Sequence, residues 1–172
     1  MVDYSDSATI GSHDGVFSSP RRLHRVVAFI EMGTWTFLIV GMVLKYSGVT
    51  EAVVPIAGSI HGFGFLCFVF VTIGIWINDR WDAPWGIAGL AVSAIPWAAL
   101  PFTIVLDRRG MLSDSWRFRR GDSPRSVSEK ILAIVVRNPV VSCVVLAVIV
   151  AVVFSILLYL GPPVDVEGVL TS

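Results

Sequence analysis

Charge is what this chain has least of: only 15% of its 172 residues are Asp, Glu, Lys or Arg, against roughly 25% in a soluble domain. That deficit excludes an ordinary water-facing surface. Residues 1–20 contain no Lys or Arg at all and are rich in Ser and Gly, so they are expected to form a polar tail without a core of its own. No basic stretch there leads into an apolar run and a small-residue cleavage site, so no cleaved leader is expected. Cysteine is scarce. Cys67 and Cys143 both lie in apolar runs, which leaves no disulfide framework and no metal-ligand spacing to read. A nucleophile–base pair and a glycine-rich phosphate loop are missing too, which argues against an enzyme or a nucleotide site. The formal net charge of zero says nothing about partners.

What is present is long apolar sequence. At about 1.5 Å of rise per residue, roughly 20 apolar residues cross a bilayer core of about 30 Å. Residues 26–44 supply one such run, between the basic collar Arg21, Arg22, His24, Arg25 and the interfacial pair Lys45, Tyr46. Val53 to Ile77 supplies a second without any formal charge, and Gly58, Gly62 and Gly64 give it a small-residue face for close helix packing. The third run, 84–106, contains Pro96 and Pro101 and is expected to cross as a kinked helix. The fourth, 139–160, is apolar all round. Trp76, Trp81 and Trp85 flank the polar turn around Arg80 and mark one membrane boundary. The expected fold is therefore all-α, an integral membrane protein with four transmembrane helices in a small bundle. Its parts are a polar tail (1–20), a three-helix bundle (21–109), a basic extramembrane loop (110–138), the fourth helix (139–160) and a C-terminal tail (161–172).

Few polar residues fall inside these runs. Glu31, about 8 Å in from the collar by helical rise, is either a proton or ligand contact or is paired in the bundle with Arg80 or Arg25. His61, expected near the end shared with Lys45 and away from Glu31, has Asp107 as its expected partner. His24 is expected on the other side, so bis-histidine haem ligation is not expected. Glu31, His61, Asp107, Lys45 and Arg80 are the candidate buried polar residues. No cofactor or metal is expected.

The segment Asp107 to Arg137 holds eight of the thirteen Lys and Arg. Its Trp116, Arg117, Arg119 and Arg120 interleave aromatic and basic residues in the manner of headgroup-facing segments, so anionic phospholipid or a partner's acidic patch is expected rather than nucleic acid. Ser126 or Ser128 is placed to cap a short helix beginning near Glu129. Four crossings set four basic residues on the side of the collar, Arg80 and the C-tail, against nine on the side of Lys45 and the loop. The positive-inside count then makes the loop cytoplasmic and both termini external, against the collar's own preference. A third run that failed to cross would put both basic clusters in the cytoplasm.

The order RRLHR, AFIE, MVLKYSG, IHGFGF and the IPWAALPF run ending in DRR resembles the YdzA-like family of small three-helix integral membrane proteins, over residues 21–109. Glu31, Lys45, Tyr46, His61, Gly62, Asp107 and Arg108 stand where the family pattern has such residues. The resemblance implies a membrane core of undefined biochemical role. Actinobacterial respiratory supercomplexes are similar in holding small helical subunits without redox centres, an analogy only. The leading expectation is a non-catalytic accessory subunit of a larger complex in the plasma membrane, multi-pass, with other integral membrane subunits and anionic phospholipid as partners. Its alternatives are a small proton-coupled transporter or channel using Glu31 and His61, and a lipid-modifying enzyme using His61, Asp107 and Lys45.

Overall fold

The structure, a computed structural model, describes residues 15–119 and 121–160. Most of the polar tail and all of residues 161–172 lie outside that range, as does Arg120. The described chain is all-helical: α1 (Pro20–Tyr46), α2 (Val53–Asp79), α3 (Ala83–Ser93), α4 (Ala99–Arg108), α5 (Val127–Arg137) and α6 (Pro139–Leu160). Single 3-10 turns sit at Val16–Ser18 and Arg117–Arg119. Helices α1 and α2 are each long and apolar enough to cross a bilayer, and α5 with α6 makes a third candidate if that bent pair is one span.

Local signals fix the ends of these helices. Ser19 caps α1 by accepting from the Arg22 N–H, and Pro20 follows at a position that needs no backbone donor. Arg80 ends α2 in a left-handed conformation, φ 52°. Ser126, one of the two capping candidates, accepts from the Glu129 N–H at the start of α5, while the Glu129 carboxylate accepts from the Arg125 N–H at 2.7 Å. This is a variant of the reciprocal capping arrangement.

Helices α1 and α2 pack antiparallel through a face the glycine spacing did not identify. A Cβ at Gly41 would lie 3.3 Å from Val53, and one at Gly64 would lie 3.1 Å from Thr34 and 3.3 Å from Glu31. At Gly58 and Gly62 a Cβ would meet nothing within 4 Å. The packing stripe is Ala57, Gly64, Phe68, Thr72 and Ile75, all buried. In a helix apolar on every side, residue size alone does not say which side faces a neighbour, so Gly58 and Gly62 are corrected to positions outside the contact.

The third apolar run does not form one kinked span. It breaks at residues 94–98, where Trp97 takes φ 60°, and α3 and α4 fold back as a hairpin. Each has only 10 or 11 residues, about 16 Å of rise. Both of its ends lie at the same end of α1 and α2. Helix α3 starts directly after the α2 cap, Asp107 at the end of α4 pairs with Arg21 at the start of α1 (2.9 Å), and the Trp81 indole N–H donates to the Met111 carbonyl (2.8 Å). At the turn, the Trp97 indole N–H donates to Thr36 Oγ1 (2.9 Å), and that of Trp35 reaches the Ser93 carbonyl (3.4 Å). Prolines 96 and 101 remove two backbone donors at this point, and the chain turns there instead of bending.

The hairpin docks on α2 by close backbone approach. A Cβ at Gly86 would lie 2.1 Å from the Trp76 ring, and that ring is held by its own N–H donating to the Trp81 carbonyl (2.8 Å). Beyond the hairpin, Leu132, Ala133 and Val136 bury one side of α5, with Leu132 reaching 3.5 Å from a Cβ built at Gly74 of α2. The α5 and α6 axes are bent by 108° at their junction, and none of the described residues of α6 is buried.

Two outcomes test this packing. Gly86→Ala should lower the thermal unfolding midpoint in detergent, with a cost of about 1–3 kcal/mol from overpacking, while Gly58→Ala and Gly62→Ala should leave it unchanged or slightly raised. The Arg125 N–H and then the Arg117 guanidinium hold the Glu129 carboxyl down to about 2. A depressed folded-state value contributes stability above the unfolded value near 4.5 that is lost as pH falls toward 2. Proteolysis between residues 121 and 137 should therefore stay slow at pH 5 and rise only below about pH 4, a dependence that Glu129→Gln removes.

Candidate functional site

The polar side chains inside the helical core fall into layers along α1. At mid-helix, Glu31 is fully buried. Its turn-mate Thr34 donates to the Glu31 carbonyl at 2.9 Å and faces carboxylate Oε2 at 3.4 Å. From α2, His61 brings Nδ1 to 3.2 Å from the Thr34 hydroxyl and 3.8 Å from Glu31 Oε1. That Oε1 is buried with no hydrogen-bond partner among the described residues. The His61 ring stacks at an angle on Trp35, with centroids 4.2 Å apart, and only 12% of its side chain is exposed. Gly64 leaves the space into which the carboxylate fits. Inside a bilayer such a carboxylate must be neutralised by a proton or by a positive imidazole.

The expectation that Glu31 and His61 stand at different depths and do not pair is overturned. The helices pack antiparallel, and the side chains of Glu31 and His61 reach across their contact to 3.8 Å. Measuring each residue from the end of its apolar run had placed them too near opposite faces. Asp107 is not the partner of His61. It ion-pairs with Arg21 and with Arg25, so Arg25 is engaged away from Glu31, and Arg80 is exposed at the α2 cap.

Nearer the collar, His24 forms the second layer. It is fully buried, with Nδ1 3.0 Å from the Thr103 hydroxyl on α4 and Nε2 3.3 Å from the Thr72 hydroxyl on α2. Thr103 gives its own proton to the Ala99 carbonyl (2.7 Å), so it accepts from His24 Nδ1–H, and Nε2 is left to accept from Thr72. A neutral imidazole satisfies all three groups. Its ring also packs edge-on to Trp81 and tilted against Phe68, at 6.1 and 5.3 Å between centroids. Assigning His24 to the solvated collar missed this role. The available signal was its place one and two turns before Ala28 and Glu31 on the buried side of α1.

A third layer closes the collar end. Asp79 accepts from the Ser113 hydroxyl (2.6 Å) and backbone N–H (3.1 Å). Asn78 donates to Ser113 Oγ (3.1 Å) and accepts from the Arg117 N–H (3.1 Å). These bonds pin the basic loop to the end of α2. Trp116 is buried and donates to the Phe17 carbonyl (3.0 Å), so it is a packing residue rather than a lipid-facing one. Arg117 lies 2.9 Å from Glu129, and Arg119 reaches the Val136 carbonyl (3.2 Å). Lys45 is exposed and 3.9 Å from Glu51, and Arg80 is exposed at its cap. Both are corrected from buried to surface positions. His61, Asp107 and Lys45 do not converge, and no cluster of three metal-ligating side chains occurs among the described residues.

Residues 21–108, about half of the chain, match the family described as Domain of unknown function (DUF3817). The chain belongs to the DUF3817 family. The DUF3817 region ends with α4, so α5 and α6 lie beyond it. Membrane protein YdzA of Bacillus subtilis is 31% identical over 74 residues, which are 42% of this chain and 77% of that protein. Membrane protein SCO5905 of Streptomyces coelicolor is 35% identical over 88 residues, 50% of this chain and 10% of that protein. The chain thus spans about a tenth of the length of this second relative. No solved structure matches. With its apolar helices, this DUF3817 chain is a membrane protein.

The two histidines should separate on mutation. His24→Ala leaves a cavity and strands two hydroxyls, and should cost about 2–4 kcal/mol. His61→Ala, at the edge of the α1–α2 contact, should cost about 1 kcal/mol. Thermal unfolding of the two variants in the same detergent checks the order.

Proposed function

We propose that this chain is a non-catalytic accessory subunit of a larger membrane complex, with the DUF3817 core as its compact part and α6 as its docking helix. One observation carries the reading: α6 is 22 residues of almost wholly apolar sequence that leaves the core at a sharp bend and buries none of its described side chains. A helix that buries none of its described residues against the rest of the described chain is free to pack against another. The Streptomyces relative adds support, since there the matched region accounts for a tenth of a much longer membrane protein.

The topology in this reading has α1 and α2 crossing, the α3–α4 hairpin entering and leaving on the collar side, and α6 crossing as a third span. Every described Lys and Arg except Lys45 then falls on one side, which the positive-inside tendency makes cytoplasmic. The collar and the basic loop no longer conflict. The location is the plasma membrane, multi-pass. A respiratory supercomplex of the cytochrome bc-oxidase type is the host we favour, by analogy with its other small helical subunits.

Extraction of the tagged chain from native membranes in mild detergent should bring down other integral membrane proteins in fixed ratio, with cytochromes visible in the optical spectrum. A chain ending at Asn138 should lose them. Elution of the full chain alone removes the basis of the subunit reading.

A second reading, a proton-coupled transporter or channel, rests on the contact of Glu31 with His61 and on the unpartnered Glu31 Oε1. In proteoliposomes it requires proton flux that Glu31→Gln abolishes.

A further inference from the structure

A cavity of about 350 Å³ opens at the collar end, between the cap of α2 and the loop leading into α5, lined by Arg80, Arg117, Phe118, Asp122, Ser123 and Arg125 among others. We propose that it binds the phosphate of an anionic phospholipid headgroup. The proposal does not depend on which complex, if any, the chain joins.

Among the described residues that line this space, three carry guanidinium groups and Asp122 is the one acid. Arg117 is held in place: its Nη2 donates to Glu129 (2.9 Å) and to the Ile77 carbonyl (3.3 Å), and it lies over the Phe118 ring at 5.0 Å. Its Nε is buried without a hydrogen-bond partner among the described residues. The side chains of Arg80 and Arg125 make no hydrogen bond or ion pair among the described residues. Glu129 is already engaged by Arg117 and the Arg125 N–H, and Asp79, next to Arg80 in the chain, by Ser113. Planar guanidinium groups around a small cavity match the oxygen geometry of a phosphate diester.

The surroundings favour a lipid as the source of that phosphate. The cavity lies at the level where Trp76 and Trp81 end the apolar run of α2, the depth at which headgroups sit. From its rim runs α5, whose outward stripe of Val127, Ile131, Ile134 and Val135 is between 42 and 73% exposed. Its opposite stripe packs on the core. A helix apolar on the side away from its protein lies naturally against acyl chains in the interface, so headgroup and chains would each meet matching surface.

Native mass spectrometry of the purified full chain, titrated with phosphatidylglycerol or phosphatidylcholine, tests this directly. One phosphatidylglycerol per chain should be retained. The double variant R80Q/R125Q should weaken that binding about tenfold or more without changing the thermal midpoint, and R80K/R125K should recover part of it. The control R108Q/K130Q removes the same charge outside the cavity and should stay within about twofold of the parent. Equal weakening by both glutamine doubles, or equal retention of phosphatidylcholine, would overturn the site in favour of diffuse attraction. Displacement of the lipid by millimolar inorganic phosphate would make it a free-phosphate site and overturn the lipid assignment.

Discussion

His24 holds three helices together at once. A bilayer offers no water to buried donors and acceptors, so polar groups inside the bundle must find their partners within the protein. The imidazole does this with one hydroxyl from α2 and one from α4, and its position on α1 sets the depth at which all three meet. The hairpin depends on that junction. Below it the Arg21–Asp107 and Arg25–Asp107 pairs fasten the end of α4 to the start of α1, and above it Trp35 and Trp97 fasten the turn of the hairpin to α1. Polar bonds to α1 and glycine contacts with α2 thus hold α3 and α4 in place, together with the apolar packing of Ala99 and Leu106 in the core.

The helices themselves were legible because their cause is local: runs of apolar residues, Pro20 at a helix start, Ser126 before Glu129. Family membership was legible as well, carried by short motifs such as RRLHR and IHGFGF. What sequence did not reveal was which residues meet. Run length counts residues but not direction, so 23 apolar residues read as a crossing although a turn at Trp97 sends the second half back. Register between α1 and α2 is set by side-chain fit at Gly41 and Gly64, and depth counted from the ends of the apolar runs was enough to separate Glu31 from His61. Of the polar residues singled out, Glu31 proved buried at the centre of the bundle, His61 beside it, and Asp107 at its rim. Lys45 and Arg80 are surface groups, while the fully buried Thr72, Thr103 and Asn78 had no distinguishing pattern, and His24 had only its helical spacing to Ala28 and Glu31.

The core and its extension follow different physics. From α1 to α4 the described chain is laced by polar bonds between helices, and its glycines permit close backbone approach. Helix α6 has no glycine and, among the described residues, bonds to a neighbouring helix through Ser142 Oγ, which donates to the Val135 carbonyl at 3.1 Å, beside a continuous apolar surface rich in β-branched residues. Helix α5 stands between them, pinned to α2 on one side and apolar on the other. The segment from Ser113 to Arg119 joins the two regimes, because the Asp79, Asn78 and Phe17 bonds anchor it to the core at several points before the chain departs.

The hairpin also bears on a question of parity. It brings the first and last residues of the DUF3817 core to one end of the bundle, where Arg21 touches Asp107, and with α1 and α2 as the two crossings we propose, both would lie on one face of the membrane. A segment with both ends on one face can be spliced into a longer polypeptide, or extended at either end, without inverting anything that precedes or follows it. Its companions keep their own sidedness. Such a core is topologically silent, which suits a unit found both as most of a short protein and as a tenth of a long one.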